Sequence, residues 1–369
     1  VHPRYRRGGP LKHRHMTLSR RKLRKAIQII RKTRPGAGLA RYTANKLLGS
    51  ILRIARSTKV AYPGCVMLEL TNHCNLHCTT CPREYAYGQQ MDRGYMPPGK
   101  AKAIIDELSP YLDSIGLTGL GETLLYPHLA EVARYIKQKK ASIVTSFSTN
   151  ANMPGFIDKV KPVLPYIDTI QISVDGIGQT YEKIRHRARF QELDSNIRQL
   201  TGMTAGKGID IMFNMVMTKE NIHDMPGIVR YASENGIPFV NFSYFNLASV
   251  TRIPVSYYSL FDTPEFQSLR TETLHTAAIL KNVEVTGLGK RPRPGFSSCP
   301  FPWTHFYISW DGYMPPCCAK PFPKQLNFGN VFSDGVMQTL NSKEYRNFRT
   351  LSLNNRTPAF CNKCNTIEI

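Results

Sequence analysis

Nine cysteines give this 369-residue sequence its most informative pattern, because seven of them fall into two groups more than 200 residues apart. The first group is Cys74, Cys78 and Cys81, the second is Cys299, Cys317, Cys361 and Cys364, and the two others are Cys65 and Cys318. An odd number of cysteines in two distant groups is a poor basis for disulfides. Grouped thiols are typical instead of metal sites in a reducing compartment. The sequence therefore predicts two metal centres.

The first group is a CxxxCxxC triplet, Cys74-Asn-Leu-His-Cys78-Thr-Thr-Cys81. Structural zinc sites use four protein ligands, whereas iron–sulfur cubanes are bound by thiolates. Three thiolates on one short loop can hold three irons of a cubane and leave the fourth iron open to another ligand. The apolar residues 66–70 form a short strand just before this loop. Barrel folds place their active sites on loops that follow strands, so we expect the cluster there.

The triplet resembles the signature of the radical S-adenosylmethionine (radical SAM) superfamily. The resemblance implies that the amino and carboxylate groups of SAM chelate the open iron of a 4Fe-4S cluster. It also implies that electron transfer cleaves SAM to a 5′-deoxyadenosyl radical, which abstracts hydrogen. Thr80 departs from the family pattern, in which an aromatic residue or Met often precedes the third cysteine.

Motifs at the ends of later predicted strands resemble the family's SAM contacts. Gly119-Leu-Gly-Glu-Thr123 resembles the GGEP-type motif that holds the methionine amino group, with Leu120 in place of the first Gly and Thr123 in place of Pro. Small polar side chains at the other strand ends suit the ribose and the methionine carboxylate, although ordinary helix capping uses the same residue types. The cofactor contacts that the resemblance implies are Gly121, Glu122, Ser148, Asn150, Ser173, Asp175, Arg185 and Asn214.

The second cysteine group resembles a known auxiliary domain. Seventeen residues separate Cys299 from Cys317, and a Cys361-Asn-Lys-Cys364 pair follows. This pattern is similar to the twitch domain, a shortened relative of the SPASM extension of radical SAM enzymes. The resemblance implies one auxiliary 4Fe-4S cluster on these four cysteines, carried by a hairpin and a helix. A zinc ribbon is the alternative for the four cysteines alone, and Cys318 is the alternative to Cys317.

The local sequence supports the hairpin and the helix. Asp311-Gly312 lies between two β-rich runs, which is a strong hairpin signal, and Gly312 stands five residues before Cys317. A helix pattern covers residues 342–352.

Between the two groups, short apolar strands alternate with amphipathic helices, which indicates βα units around a parallel sheet. Strands are predicted at 66–70, 114–117, 142–148, 169–174, 209–217 and 239–244, and helices at 100–111, 127–139, 156–164, 190–201 and 222–235. We expect an α/β fold: a partial (β/α)6 TIM-like barrel with a small C-terminal twitch domain (a hairpin plus a helix) and a basic helical N-terminal arm. The predicted domains are the arm (1–60), the barrel (61–250), a linker with a helix at 264–280 (251–298) and the auxiliary cluster domain (299–369).

The positive charge of the chain is concentrated at its start. Residues 1–60 contain 18 Lys and Arg and no acid, whereas the other 309 residues carry 31 basic and 26 acidic side chains. This distribution argues against a uniformly basic nucleic-acid-binding domain. No apolar run approaches the roughly 18–20 residues of a membrane-spanning helix, and residues 1–22 are too charged for a secretion signal. We therefore expect a cytoplasmic protein, with a peripheral membrane location as one alternative.

Three interpretations of the arm remain open. Two apolar stripes occur among its basic residues: Leu47, Leu48, Ile51, Leu52 and Ala55, and the shorter Leu23, Ile27 and Ile30. A basic amphipathic helix is typical of binding to an anionic membrane surface. The longer stripe could instead pack on the barrel and leave the charges solvated. Nucleic-acid binding is the least favoured, because the arm has few aromatic residues for base stacking.

The resemblance implies a radical SAM oxidoreductase in which a second cluster accepts or relays an electron. We expect dehydrogenase-type oxidation of a sugar, cyclitol or lipid-linked substrate, with a reductant such as flavodoxin or ferredoxin as partner. A peptide-modifying maturase and an RNA-modifying radical SAM enzyme are the alternatives. Residues 1–60 do not resemble a compact leader-peptide-binding domain with alternating strands.

Overall fold

A parallel sheet forms the centre of the computed structural model, which describes residues 37–250, 252–289, 299–354, 356 and 358–364. Its eight strands are β1 (Cys65–Leu68), β2 (Ser114–Gly116), β3 (Val144–Thr149), β4 (Thr169–Ser173), β5 (Asp210–Met217), β6 (Phe239–Tyr244), β7 (Glu284–Thr286) and β8 (Phe306–Ile308). They lie in the order β8-β1-β2-β3-β4-β5-β6-β7, and every neighbouring pair is parallel.

Helices connect the strands and cover one face of the sheet. In the described residues the α-helices are α1 (Ala37–Ile54), α2 (Ala86–Gln89), α3 (Pro98–Leu108), α4 (Leu129–Lys139), α5 (Phe156–Val160), α6 (Gln179–Ile184), α7 (Phe190–Thr204), α8 (Met225–Glu234), α9 (Pro264–Leu280), α10 (Phe301–Thr304), α11 (Val331–Asp334), α12 (Val336–Leu340) and α13 (Lys343–Leu353). Phe147 and Ile170 pair across β3 and β4 and are buried with helix residues in the core. The alternate residues of the same strands are polar and partly exposed, as expected for the inner face of an open barrel.

The α/β class and the six predicted strands are confirmed, with shifts of one or two residues at their ends. Two further strands, β7 and β8, extend the sheet beyond the six predicted ones. β7 lies in the segment predicted as a linker, and β8 belongs to the predicted C-terminal domain but pairs with β1. The division of the chain at residues 60, 250 and 298 stays a prediction. Pro292 and Pro294, on which the linker rested, lie outside the described residues.

The predicted hairpin is only partly correct. Gly312 does form a turn, with φ of +87°, which is closed by a hydrogen bond from Ser309 N to the Tyr313 carbonyl oxygen at 2.9 Å, but residues 313–317 make no ladder with β8 beyond this bond. Tyr313 instead forms an antiparallel bridge with Asn330, and Met314 exchanges backbone hydrogen bonds with Phe328 and Gly329. The next two residues are prolines, which have no N–H to continue a ladder.

One predicted helix is shorter than expected. The pattern at 156–164 gives α5 over Phe156–Val160 and then a 3-10 turn over Leu164–Tyr166. Pro162 disfavours helical geometry at the residue before it and lacks an N–H. The α-helix therefore ends early.

A buried carboxylate joins the barrel to the C-terminal segment. Glu69 follows β1 and is fully buried. Its carboxylate accepts hydrogen bonds from Leu120 N (2.8 Å), the Tyr307 hydroxyl (2.6 Å) and Trp310 N (3.3 Å). A Cβ at Gly119 would stand 2.2 Å from Glu69 Cγ, so only glycine allows this approach. Burial raises the pKa of Glu69 to about 7, and the three donors only partly oppose this.

We predict that Glu69 makes stability depend on pH. Because its folded pKa lies above the ordinary value, its contribution is complete below pH ~4.5 and is lost as the pH rises through about 7. The change amounts to about 3 kcal/mol. Glu69→Gln cannot ionise, so the free energy of unfolding of the variant relative to wild type should increase between pH 5 and pH 8.

Thermal or denaturant unfolding at several pH values would measure this difference. Glu192→Gln, which alters an exposed glutamate, is the matched control and should run parallel to wild type. A Glu69→Gln curve that also runs parallel to wild type would show that the carboxyl is ionised throughout this range.

Candidate functional site

The cysteine triplet lies on the loop that follows β1, as the sequence predicts. Cys78 is buried, and Cys74 and Cys81 are partly buried. Residues His77–Cys78 form a two-residue strand antiparallel to Arg185–His186, with Cys78 opposite Arg185. After Cys81 the chain enters a 3-10 helix, Pro82–Glu84, which closes the loop.

Arg83 holds the loop in shape from within. Its guanidinium is buried and donates to the carbonyl oxygens of Leu76 (2.7 Å) and Asn72 (3.4 Å). It also forms an ion pair with Glu84 at 2.7 Å. The triplet motif did not indicate this role, although a basic residue two positions after the third cysteine was a visible signal.

Burial raises the pKa of all three thiols, to about 12 for Cys78 and about 11 for Cys81. The nearby Arg185 guanidinium opposes this increase at Cys78. Thiolates in such an environment need a cation to compensate their charge, and a bound metal supplies it as the protons leave. These three thiols therefore have the donor chemistry to hold a cluster, with Arg83 and Arg185 as neighbouring positive charges.

The motif after β2 packs directly against the triplet loop. A Cβ on Gly121 would lie 2.5 Å from the carbonyl oxygen of Thr71 and 2.6 Å from that of His73. Glu122 N donates to the same His73 oxygen at 2.8 Å. This close approach explains the need for glycine in the motif.

Glu122 and Asn150 form a short chain of contacts that ends at the triplet. The buried Glu122 carboxylate accepts from Asn150 N at 2.7 Å and from Leu124 N at 3.2 Å, and burial raises its pKa. The Asn150 amide donates to Asn75 at 2.9 Å and lies 3.9 Å from Cys74 Sγ. The structure thus brings two predicted site residues together behind the loop.

Asp175 and Arg185 contact each other. Arg185 forms an ion pair with Asp175 Oδ2 at 2.8 Å, and the other carboxylate oxygen accepts from Val216 N at 2.8 Å. Both residues are buried. Arg185 Nη1 also lies 3.9 Å from Cys78 Sγ. These contacts place the pair beside the triplet, while their roles as direct SAM contacts stay predictions.

Ser148, Ser173 and Asn214 lie on the inner face of the barrel and are partly exposed. Ser148 and Asn214 are hydrogen-bonded there to residues that the sequence analysis did not identify. Gln171 donates to Ser148 at 3.3 Å, and Asn214 Oδ1 accepts from Asn241 (2.7 Å) and Ser243 (2.9 Å). The alternation of polar and apolar residues along β4 and β6 could have identified Gln171, Asn241 and Ser243 as residues of the inner face.

A cavity of about 510 Å³ opens beside the triplet loop. Thr79 and Tyr85 of the loop form one wall, and the charged or titratable side chains of the lining are Lys183, Glu220 and His223. The opposite wall follows the ends of β5 and β6, which is where a barrel of this type places substrates.

The C-terminal cysteines also come together. Cys299, Cys317, Cys361 and Cys364 are all buried. Burial raises the pKa of Cys361 to about 12, and the neighbouring Cys364 and Cys299 thiols add to the effect. Burial likewise raises the pKa of Cys317, with contributions from Cys318, Cys364 and Cys361. The four thiols therefore share one buried region and could hold a second cluster.

Two features of this region go beyond the cysteine spacing. Cys318 is partly buried, and burial raises its pKa, with further increases from the neighbouring Cys65, Cys364 and Cys299 thiols. The ligand choice between Cys317 and Cys318 therefore stays open. Lys320 is buried, and its ammonium donates to the carbonyl oxygen of Asn362 at 2.9 Å. This bond ties the segment after Cys317 to the Cys361–Cys364 loop.

A parallel open barrel with three thiols on the loop after its first strand is the architecture of an iron–sulfur enzyme. Family models identify the type. The radical SAM superfamily model matches residues 68–232, and the SPASM model, an iron–sulfur cluster-binding domain, matches residues 299–365. The chain is a radical SAM enzyme with a C-terminal SPASM domain. The first domain implies a 4Fe-4S cluster and SAM, and the second implies auxiliary iron–sulfur binding.

Curated relatives share this assignment at low identity. Fe-coproporphyrin III synthase of Methanosarcina barkeri is 27% identical over 54% of this chain and 47% of its own length, so the chain spans about half of that protein. The tungsten-containing aldehyde ferredoxin oxidoreductase cofactor-modifying protein of Pyrococcus furiosus is 24% identical over 80% of this chain and 86% of its own. The sporulation killing factor maturation protein SkfB of Bacillus subtilis is 24% identical over 79% and 68%.

Solved structures show the same fold. Streptococcus suis SuiB bound to the precursor peptide SuiA superposes with a TM-score of 0.64 at 15% identity and covers 86% of this chain and 73% of its own. The structure of anSMEcpe with bound AdoMet gives a TM-score of 0.60 at 16% identity over 83% and 85%.

We predict that replacing Cys74, Cys78 and Cys81 by Ala abolishes SAM cleavage, because no other described thiols lie on this loop. The variant should retain iron only at the C-terminal site and form no 5′-deoxyadenosine with reductant. Cys65→Ala, which removes an exposed cysteine outside both groups, is the matched control and should cleave SAM normally. Undiminished cleavage by the triple variant would show that the three cysteines are not required for SAM cleavage.

Proposed function

We propose that this enzyme oxidises a carbon of a neutral, polar substrate in two one-electron steps. The second electron passes to an auxiliary 4Fe-4S cluster on Cys299, Cys317, Cys361 and Cys364. Cys74, Cys78 and Cys81 hold the SAM-binding cluster in this proposal. The observation that carries it is the burial of all four thiols in a segment whose strand β8 is hydrogen-bonded to β1, the strand that leads into the triplet.

Hydrogen bonds connect the segments that carry the two thiol groups. Tyr307, at the centre of β8, donates to Glu69, which lies five residues before Cys74. After β8, Ser309 N donates to the carbonyl oxygen of Tyr313, and Cys317 follows four residues later. An electron acceptor in the C-terminal group would therefore keep a constant distance from a radical formed at the barrel, as efficient electron transfer requires.

The cofactors supply the difficult step: bound SAM and its cluster generate a radical that removes a hydrogen atom from the substrate. If the substrate is an alcohol, loss of the carbon-bound hydrogen atom, the hydroxyl proton and one further electron gives a ketone. The electron needs an acceptor, which is the role proposed for the C-terminal cluster. The protein's share is to orient the substrate and to keep water from the reacting carbon.

The inner face of the barrel supports a neutral substrate. Gln171, Asn214, Asn241 and Ser243 present amides and a hydroxyl that are already aligned by hydrogen bonds to their neighbours. Such groups both donate and accept, which suits hydroxyl or amide groups of a substrate. A sugar, cyclitol or lipid-linked substrate fits this lining, with flavodoxin or ferredoxin as the reductant.

Peptide modification is the second candidate, and the relatives favour it. SkfB is a maturation protein, and SuiB was solved with a precursor peptide. A peptide also presents amides to the same lining. The described residues before β1 contain a single helix and no strand, so a leader-binding sheet of the expected kind is not found in that part of the chain.

We predict that a cyclitol or sugar, and not a peptide, gives up the hydrogen atom that appears in 5′-deoxyadenosine. Incubation with SAM, a reductant and cyclitols or sugars deuterated at the reacting carbon should place deuterium in 5′-deoxyadenosine and yield a ketone that has lost one deuterium and one hydrogen from the labelled alcohol. Deuterated precursor peptides under the same conditions are the comparison. Deuterium from the peptide alone would replace the dehydrogenase proposal by the maturase one.

We predict that the C-terminal cysteines carry the second electron. Wild-type enzyme purified anaerobically should contain about eight irons per chain, and Cys361→Ala/Cys364→Ala should halve this content. SAM cleavage should persist, because the triplet is untouched, while ketone formation should fall much further than cleavage.

Cys318→Ala provides the matched control and should keep the full iron content if Cys317 is the ligand. Loss of iron in this variant would instead assign Cys318. Four irons and one zinc in the wild type would support the zinc ribbon and contradict the electron-acceptor role.

A further inference from the structure

Helix α1 docks on the protein through one polar face. Tyr42 and Lys46 both contact the carboxylate of Asp113. The Asn45 amide donates to Tyr62 O at 2.9 Å and accepts from Tyr62 N at 3.0 Å. These three helix residues and Gly49 follow the i, i+3, i+4, i+7 spacing of a single helix face. The orientation of α1 about its own axis is therefore set by polar contacts.

The opposite face of α1 is apolar and lies in solvent. The exposed fractions are 64% for Leu47, 47% for Leu48, 53% for Ile51 and 84% for Ile54. The sequence-based alternative that the stripe packs on the barrel is therefore wrong for its members Leu47, Leu48, Ile51 and Ala55, which are exposed. Leu52 is partly buried, and the second stripe (Leu23, Ile27, Ile30) lies outside the described residues. A contiguous exposed apolar strip of this kind marks an interaction surface.

The charges beside this strip are positive. Arg41 is exposed on the side of α1 next to Leu48, and the exposed Arg56 and Lys59 follow the helix. The first acid in the entire sequence is Glu69, and 13 further Lys and Arg precede residue 37. An apolar stripe with basic flanks and no acid complements an anionic surface.

We propose that the exposed face of α1 (Leu47, Leu48, Ile51, Ile54) binds an anionic lipid bilayer, with the helix lying in the plane of the interface. An 18-residue helix is roughly 27 Å long, and its apolar residues insert among the acyl chains while the arginines contact lipid phosphates. No described helix is both long and apolar enough to cross a bilayer. Attachment here is therefore by surface insertion.

The exposed face favours lipid over nucleic acid. Single-stranded nucleic acids are bound by stacking on aromatic rings, and the aromatic residue of α1, Tyr42, is turned inward onto Asp113. The four exposed apolar residues have no role on a phosphate backbone, whereas a bilayer buries them.

Attachment to a bilayer through α1 would leave the candidate functional site accessible to substrate. The contacts of α1 lie at Tyr62 and Asp113, just before β1 and β2 begin. The triplet lies after β1 ends, and the other site residues lie in the C-terminal halves of their strands or beyond them. The bilayer would thus contact the end of the barrel that is remote from the triplet, and substrate would enter from the aqueous side.

Vesicle sedimentation with the full chain tests the proposal. Wild type should bind vesicles of phosphatidylcholine containing 30 mol% phosphatidylglycerol and bind pure phosphatidylcholine far less. Leu47→Gln/Ile51→Gln should weaken partitioning into the anionic vesicles about 100-fold, roughly tenfold per side chain. Leu274→Gln/Ile279→Gln, which changes two exposed apolar residues of α9, is the matched control and should bind as wild type does.

Measurements made without lipid test whether another part of the chain, or a second copy of it, covers this face instead of a bilayer. The α1 variant should keep the wild-type unfolding midpoint, monomer mass and SAM cleavage. A lower midpoint would mean that residues 1–36 or another part of the chain covers the face, and conversion of a dimer to a monomer would assign it to a second copy. Either result overturns the proposal, as does equal vesicle binding by wild type and the α1 variant, or loss of RNA binding without loss of vesicle binding.

Discussion

The buried carboxylate of Glu69 is the contact on which the arrangement of both cysteine groups depends. A carboxylate removed from water is costly unless it is hydrogen-bonded, and Glu69 meets this condition by gathering donors from two other segments of the chain. Its donors are Leu120, Tyr307 and Trp310. The first is in the motif that contacts the triplet loop, and the other two lead toward Cys317. Loss of any one donor would leave a buried charge less satisfied, so the segments are held together as a unit.

Other buried acids extend this arrangement around the triplet. Glu122 reaches Cys74 through Asn150, and Asp175 reaches Cys78 through Arg185. In both cases the acid binds backbone N–H groups and orients a polar side chain that contacts a thiol. These protein contacts position the loop and so contribute to the preorganisation of the site. Preorganisation of this kind reduces the entropy that binding must overcome.

The parts of the fold that could be predicted from sequence are those with local signals. Cysteine spacing located both thiol groups, and period-2 and period-3.6 patterns located six strands and their helices. Long-range pairings had no such signal: β8 joins β1, more than 200 residues away in the chain, and the apolar sequence around it only indicated a strand. Glu69 was equally hidden, since one acid in an apolar strand does not reveal its partners. Asp175 was identified at a strand end and Arg185 through the family resemblance, but their ion pair required the fold.

The rotation of α1 about its own axis illustrates how polar contacts can override a hydrophobic pattern. The apolar stripe alone would favour packing on the barrel, since burying it would be favourable. Asp113 and the backbone of Tyr62 instead bind Tyr42, Asn45 and Lys46, and these contacts turn the stripe outward. Turning the helix would leave the Asp113 carboxylate without these two donors. The chain therefore combines a firmly docked helix with an exposed apolar face at the end of the barrel opposite the triplet, which separates a surface for attachment from the site of chemistry.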